Sequence, residues 1–199
     1  YPKTIVNKVE SPDVGMEYSL NPYQGCEHGC VYCYARNTHP YWGYSSGVDF
    51  ESVILVKRNA PELLEKLLKS KTWTGHPIML SGNTDCYQPI EKDLEITREL
   101  LRIFLKYKHP VGIVTKNALI LRDLDILKEL NKHQLISVAI SINTLDDDLR
   151  RIMEPRTSSV QKRLDTVKAL AKEKIPVTVL AAPIIPGLND TDILPLAKK

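Results

Sequence analysis

Short apolar runs alternate along this chain with longer amphipathic segments. The apolar runs are rich in β-branched residues, and most are continuous rather than interrupted by polar positions. Such runs are typical of strands that are buried on both faces. We therefore predict strands over five segments: residues 16–20, 77–81, 111–115, 136–142 and 176–182. Residues 53–56 predict a further short extended segment.

The amphipathic segments lie between these runs, and their apolar positions recur at helical spacing. They predict four helices: residues 60–70, 93–108, 121–132 and 160–173. Asn59 stands where an N-cap is expected, and Pro61 falls in the first turn, where its missing N–H costs no hydrogen bond. Residues 39–49, rich in aromatic and small side chains, predict a loop, and residues 189–191 predict a helix start.

The alternation of strands and helices predicts an α/β fold with parallel strands joined by helical crossovers. Five or six such units are typical of a partial TIM-type (β/α) barrel, and we expect residues 1–199 to form one such domain. A doubly wound open sheet gives the same one-dimensional pattern. Its dinucleotide fingerprint, a Gly-x-Gly-x-x-Gly after a strand, is missing from this sequence.

Polar clusters follow the predicted strands. They lie at residues 21–26, 81–85, 115–117, 141–144 and 183–190. In a parallel β/α architecture the carboxyl ends of the strands share one face, and active sites are built there. We therefore expect these five clusters to meet.

Composition limits the class of protein. The chain has 199 residues, of which 43% are hydrophobic and 26% charged, as expected for a globular domain with a sizeable core. It has no apolar run of membrane-spanning length and no signal-peptide pattern at its start. The formal charge of +3 is compatible with nucleic-acid binding without arguing for it. Four cysteines, three of them too close together to pair, predict a reducing, cytoplasmic setting.

The segment NPYQGCEHGCVYCYAR places Cys26, Cys30 and Cys33 within eight residues. A structural zinc site needs four ligands, and a fourth is not evident, because His28 is too tightly placed and Cys86 would come from another strand. Inert structural cysteines prefer apolar surroundings, which this Gly-, Glu- and His-containing loop does not offer. Three thiolates on an iron–sulfur cluster would leave one iron open to a substrate or cofactor.

CEHGCVYC, directly after a predicted strand, resembles the cluster-binding signature of the radical S-adenosylmethionine (SAM) superfamily. GNTDCYQPIE, TKNALILRDLDIL, SINTLD, MEPR and APIIPGLND resemble a bacterial subgroup related to spore photoproduct lyase, whose members are often called photolyase-like. The resemblance covers nearly the whole chain. It implies six β/α units, so we expect the last barrel strand to lie beyond Lys199.

The same resemblance implies an enzyme with a [4Fe–4S] cluster on Cys26, Cys30 and Cys33. SAM would bind the open iron and be cleaved reductively to a 5′-deoxyadenosyl radical, which acts on a substrate that the sequence does not identify. An external electron donor such as flavodoxin or ferredoxin is implied as a partner. Tyr32 is implied to pack near the adenine, and Tyr34 to take part in radical transfer.

Residues at two strand ends are implied to hold the methionyl part of SAM. Thr84 and Asp85 match a Ser–Asp pair that contacts the amino group, although the usual Gly-Gly-Glu is absent here. A carboxylate and a hydroxyl can accept hydrogen bonds from an ammonium. Lys116 matches a lysine that pairs with the methionyl carboxylate.

Later residues are implied to hold the nucleoside part of SAM. Ser141 and Asn143 fall where the superfamily contacts the ribose hydroxyls. Arg156 is expected to support this shell, unless it pairs with Glu154. Ile184 lies in a segment that resembles the lining of the adenine edge.

The related lyase has a hydrogen-donor cysteine at the place where this chain has Gly82. Cys86 lies on the other side of the Thr-Asp pair, so we expect it to be a bystander and expect thymine-dimer repair not to be the reaction. A DNA-lesion repair lyase is the alternative function, and a non-catalytic zinc or iron–sulfur module is the alternative from another class.

Nucleic-acid binding is expected to be weak and strongly dependent on salt. Tyr41, Trp42 and Tyr44 could stack on bases or, equally, cover the cluster from water. The later half of the chain is enriched in cations, which residues 146–148 offset in part. The cations concerned are Arg150, Arg151, Arg156, Lys162, Arg163, Lys168 and Lys172.

Overall fold

The computed structural model describes residues 2–10 and 15–199. Its strands are β1 Val6–Lys8, β2 Tyr18–Leu20, β3 Tyr23–Gln24, β4 Leu55–Val56, β5 Ile78–Leu80, β6 Val111–Thr115, β7 Ile136–Ser141 and β8 Val177–Leu180. Its α-helices are α1 Asp49–Ser52, α2 Ala60–Leu68, α3 Glu91–Leu94, α4 Ile96–Lys106, α5 Leu124–Lys132, α6 Asp147–Met153, α7 Val160–Lys172 and α8 Ile193–Ala197. Short 3₁₀ helices cover Tyr34–Trp42, Ala118–Asp123 and Asp190–Asp192. Within the described ranges, every helix is too short or too polar to cross a membrane.

Six strands form one sheet in the order β1-β2-β5-β6-β7-β8. β1 is antiparallel to β2, and all the other neighbouring strands are parallel. The parallel strands follow one another in chain order, without the reversal that defines a doubly wound sheet. The predicted α/β class with parallel strands is confirmed, and the strand order is that of a partial barrel. β3 and β4 form a separate antiparallel pair.

The core is built where the apolar runs meet across the sheet. Leu20 pairs with Leu80, Leu80 with Ile113 and Ile113 with Val138, and all four side chains are buried. Continuous apolar strands can therefore be covered on both faces, as the sequence pattern predicts. β8 is the exception, because its last three residues are exposed.

The sequence placed the main strands well but mispredicted several other features. The predicted helix 93–108 is two helices, because Glu95 adopts a left-handed conformation with φ of 51° and interrupts it. Asn59 does not cap α2 with its side chain, which donates instead to the carbonyl of Pro2 at 3.1 Å. Residues 39–49 are not a simple loop, since the 3₁₀ helix reaches Trp42 and the side chain of His39 is buried. β1 and α6 were not predicted.

The carboxyl ends of the parallel strands lie along one edge of the sheet, as expected for this connectivity. Asn21 follows β2, Ser81 follows β5 and Lys116 follows β6. The cysteine segment begins shortly after Asn21. Sheet topology therefore brings the cysteines to the polar strand ends.

Candidate functional site

A cavity of about 160 Å³ lies at the carboxyl ends of β5 and β6. It is lined by Cys30, Tyr32, Cys33, Tyr34, Ser81, Asn83, Thr84, Asp85, Val114, Thr115 and Lys116. Seven of the residues singled out from the sequence therefore share one space. A larger cavity of about 460 Å³ lies at the opposite, amino ends of the strands and contains no cysteine. We take the smaller cavity as the candidate site because the chemistry-bearing side chains converge there.

The three cysteines of the loop are free thiols, and Cys30 and Cys33 line the cavity whereas Cys26 does not. Cys26 and Cys30 are buried, and Cys33 is partly exposed. Burial raises the pKa of Cys30 to about 12; the Lys116 ammonium opposes this shift, and Glu154 and the two other thiols add to it. The thiols and the ammonium are thus close enough to influence one another. Metal binding at such thiols would displace their protons.

Two arginines hold the cysteine loop through its backbone carbonyls. Arg36 Nε donates to the carbonyl of Cys30 at 3.1 Å, and Arg156 Nε donates to the carbonyl of Glu27. Glu51 joins the two guanidinium groups, accepting from Arg36 at 2.5 Å and from Arg156 through its other oxygen. Arg156 therefore does not pair with Glu154. It supports the cysteine loop and does not line the cavity.

Asp85 and His28 form a buried pair beneath the loop. His28 Nδ1 lies 3.4 Å from Asp85 Oδ2, and the side chains are 1% and 9% exposed. Burial alone would lower the pKa of His28, but Asp85 and Cys26 raise it to about 9. Burial alone would raise the pKa of Asp85, but the charge of His28 and hydrogen bonds from His28, Lys116 and Tyr87 lower it to about 2. Sequence reasoning did not predict this pairing of His28.

The Lys116 ammonium is a cation directed at the site. It lies 5.9 Å from the centroid of the Tyr32 ring. Burial alone would lower the pKa of Lys116, but Cys30, Glu154 and Asp85 raise it above the usual lysine value. Among the described residues, no group accepts a hydrogen bond from this ammonium. It is therefore charged and available to an anionic ligand.

Tyr32 is anchored in a buried polar network. Its hydroxyl donates to Glu154, whose other carboxylate oxygen lies 2.5 Å from Arg163 Nη2. Arg163 also donates to the carbonyl of Ser141 at 2.8 Å, at the end of β7. Arg163, counted above among the cations of the later half, is not accessible to a nucleic acid, because this side chain is 1% exposed. Arg150 is buried as well.

The predicted nucleoside-binding residues lie at the next strand end. Asn143 is buried, and neither polar atom of its side chain has a hydrogen-bond partner among the described residues. Its carbonyl accepts from Asn189 Nδ2 at 2.7 Å, and Asn189 Oδ1 accepts from the amide of Ile185 at 2.6 Å. Ile184, in the same segment, is half-exposed. Asn189 is a functional candidate that sequence reasoning missed.

Thr84 and Cys86 are both turned inward. The Thr84 hydroxyl donates to the carbonyl of Tyr23 at 2.7 Å, which uses its only proton. Cys86 is completely buried, and burial raises the pKa of its thiol well above the usual value. Unlike Cys30 and Cys33, Cys86 does not line the cavity, which supports the prediction that Cys86 is a bystander.

Tyr34 lies at the mouth of the cavity and is largely exposed. Its hydroxyl donates to the carbonyl of Gly82. A Cβ at position 82 would lie 2.8 Å from the Cβ of Ser19, closer than real contacts allow. Position 82 is therefore closed to a side chain unless Ser19 shifts.

The chain is similar to known proteins over most of its length. A family model described as the Radical SAM superfamily matches residues 20–199. An uncharacterized protein of Mycobacterium tuberculosis (strain ATCC 25618 / H37Rv) is 33% identical over 190 residues, covering 95% of this chain and 56% of that protein. An uncharacterized protein of Methanocaldococcus jannaschii is 35% identical over 193 residues, covering 96% of this chain and 69% of that protein.

Among solved structures, a spore photoproduct lyase mutant with bound AdoMet and dinucleoside spore photoproduct superposes with a TM-score of 0.64 at 19% identity. The match covers 88% of this chain and 48% of the lyase. A likeness at this identity shows the fold. The chain spans little more than half the length of the mycobacterial relative and about half that of the lyase.

Proposed function

The chain belongs to the radical SAM superfamily, and on that premise we propose that it is an enzyme that cleaves SAM reductively with a [4Fe–4S] cluster held by Cys26, Cys30 and Cys33. The observation that carries the proposal is that two of the three free thiols, Cys30 and Cys33, line one cavity with Lys116, whose ammonium has no hydrogen-bond acceptor among the described residues. When bound, such a cluster supplies the electron that cleaves the sulfonium. An external donor such as flavodoxin or ferredoxin is proposed to deliver that electron.

The donor set suits iron and sulfide better than a single zinc ion. Soft thiolates favour iron–sulfur clusters, and three of them leave one iron open. Within residues 2–10 and 15–199, no three His, Cys, Asp or Glu side chains are arranged around the position of a single ion. A structural zinc ion needs four such ligands at one point, whereas each cluster thiolate binds a different iron. The zinc-module alternative therefore loses support.

The residues around the cavity are suited to the two ends of SAM. The Lys116 ammonium, which is charged and has no acceptor in the described part of the chain, is proposed to pair with the methionyl carboxylate. Asn143, whose buried side-chain amide has no partner within residues 2–10 and 15–199, is proposed to bind the ribose hydroxyls together with Ser141. An unpaired buried amide costs about 1–3 kcal/mol, and a bound ribose would remove that cost. Tyr32 and Ile184 are proposed to contact the adenine.

Tyr34 is proposed as the catalytic residue on the substrate side. It lines the cavity with its ring, and its exposed position at the mouth allows contact with a substrate outside. The alternative function, repair of a DNA lesion by the chemistry of the related lyase, is disfavoured because Ser19 occupies the space beside Gly82. The substrate class is proposed to be nucleic acid, contacted by the exposed Tyr41 and Trp42.

The proposal is tested by anaerobic purification and reconstitution. We expect about four irons and four sulfides per chain, as a Cys-ligated cubane requires. SAM added to the reduced protein should change the electron paramagnetic resonance (EPR) spectrum, because it coordinates the open iron. Slow formation of 5′-deoxyadenosine and methionine should follow. Stoichiometric zinc without iron, or a cluster whose spectrum ignores SAM and which forms no 5′-deoxyadenosine, would refute the proposal.

A further inference from the structure

The surroundings of Asp85 do not fit the role that the resemblance implies for it. Its Oδ1 accepts from the Thr115 hydroxyl and from the amide of Tyr87, both at 2.8 Å. Its Oδ2 accepts from the amide of Lys116 at 2.8 Å and lies 3.4 Å from His28 Nδ1. A carboxylate offers about four lone-pair sites. The chain itself fills them, and none is left for a methionyl ammonium.

His28 is fixed on its other sides too. Its Nε2 lies 3.5 Å from the side-chain amide nitrogen of Asn117, and its carbonyl accepts from the amide of Arg156 at 3.3 Å. In sequence it stands between Cys26 and Cys30, and its side chain is almost completely buried. His28 therefore connects the middle of the cysteine loop to the ends of β5 and β6.

We infer that Asp85 and His28 act as one positioning pair, which sets the cysteine loop against the strand end that carries Lys116. Asp85 on this view does not bind SAM. The inference rests on the proposed function, because the position of this loop matters for chemistry only if the loop holds the cluster. It assigns a role to His28 and replaces the implied role of Asp85.

The test compares His28→Gln, Asp85→Asn and the double variant, each reconstituted anaerobically. The readout is the EPR spectrum of the reduced cluster without SAM, together with iron content. Both single variants should shift the spectrum and lower iron content, and the double variant should be no worse than the worse single one, because both changes break the same contact. A merely structural role would lower iron content without changing the spectrum of the clusters that remain. His76→Gln, which removes an exposed His–Glu pair of 3.0 Å, should match the parent protein.

Two results would overturn the inference. One is a His28→Gln spectrum identical to that of the parent. The other is an Asp85→Asn variant with a parental SAM-free spectrum and SAM affinity reduced about tenfold or more, equivalent to 1.4 kcal/mol, since that marks Asp85 as the ammonium ligand. If either single variant retains no iron, Thr115→Val is measured instead, because it removes only one hydrogen-bond donor to Asp85. Its EPR spectrum should shift less than those of the other variants. A parental spectrum for Thr115→Val also overturns the inference. A parent without any cluster signal refutes the proposed function itself.

Discussion

The hydroxyl of Tyr34 donates to the backbone carbonyl of Gly82, whereas the hydroxyl of Tyr32 donates to the buried carboxylate of Glu154. Two tyrosines that flank the same cysteine thus make hydrogen bonds of different kinds. One bond lies at the exposed mouth of the cavity, and the other lies in a buried network. Tyr34 is therefore accessible to a substrate, whereas the hydroxyl of Tyr32 is held in a buried hydrogen-bond network.

Removing the two hydroxyls should therefore have unequal effects. Tyr32→Phe leaves a buried carboxylate oxygen without its donor, and we expect a loss of about 1–3 kcal/mol in the free energy of unfolding. Tyr34→Phe should cost no more than about 0.5 kcal/mol, because water replaces the lost partner at an exposed site. Urea unfolding of the metal-free chains measures both. Equal losses would contradict the assignment of Tyr34 to the substrate side.

Gly82→Cys should not create a working donor thiol. The new Cβ would meet Ser19, and overpacking of this kind costs about 1–3 kcal/mol of stability. Urea unfolding and thiol titration of the native protein would measure the change. Thr178→Cys, at an exposed position of β8, is the control and should be stable and readily titrated. A stable Gly82→Cys variant would show that Ser19 yields and that the site can accept a thiol.

Loss of a proposed cluster ligand should differ from loss of the buried bystander. Cys30→Ala should abolish reconstitution of the cluster and formation of 5′-deoxyadenosine. Cys86→Ala should keep both, at a stability cost of about 1 kcal/mol for the small buried cavity it leaves. Iron analysis and product assay under reducing, anaerobic conditions distinguish them. Similar loss of iron in the two variants would mean that Cys86 is a ligand.

The buried pair of Glu154 and Arg163 should be important for stability. Arg163→Met leaves an uncompensated buried carboxylate, and we expect a loss of about 3–5 kcal/mol in the free energy of unfolding. Arg151→Met removes an exposed pair with Asp148 and should cost no more than about 1 kcal/mol. Denaturant unfolding of both variants measures this difference. A near-neutral Arg163→Met would show that this pair does not stabilise the folded chain.

Binding of single-stranded DNA, if the proposed substrate class is right, should weaken with salt. Each neutralised phosphate contributes a slope of about 0.7 in log affinity against log salt concentration. Trp42→Ala should weaken binding by about 1–3 kcal/mol, the range for loss of one base-stacking contact. Trp73→Phe, whose parent indole packs against Tyr18, is the control and should bind normally. Fluorescence titration at several salt concentrations provides the measurement, and salt-independent affinity would point to another substrate class.

Much of the fold was predictable because the strands carry strong local signals. The apolar runs that became β6 and β7 were placed to within a residue, and their parallel order follows from the helices between them. The break at Glu95 could not be predicted in this way. Helical periodicity does not reveal that a non-glycine residue adopts a left-handed conformation. Helix α6 did carry a local signal: Asp146 caps it, accepting from the amides of Asp148 and Leu149. It was overlooked among three successive aspartates.

The residues that line the cavity could be predicted from the sequence, but the residues that hold them in place could not. The cysteine spacing and the strand ends named the residues that line the cavity, since both are local features. The partners of those residues were not visible, because Arg163 and Glu154 or His28 and Asp85 come together only through the fold. The number of charges in the later half overstates the cations that can reach a ligand, because Arg163 is one of them and is buried. Burial depends on tertiary packing and cannot be read from a charged side chain in an amphipathic helix.

Because the parallel strands follow one another in chain order, the ribosome synthesises the parts of the site one after another. Lys116 follows Cys26 by roughly 90 residues, which at 5–20 residues per second takes about 5–18 seconds of synthesis. The thiols therefore emerge well before β6 and its lysine exist to stand beside them. Asn143 and Asn189 emerge later still. The cysteines of a nascent chain are therefore present before Lys116, Asn143 and Asn189. The site is completed only when these later residues have been synthesised.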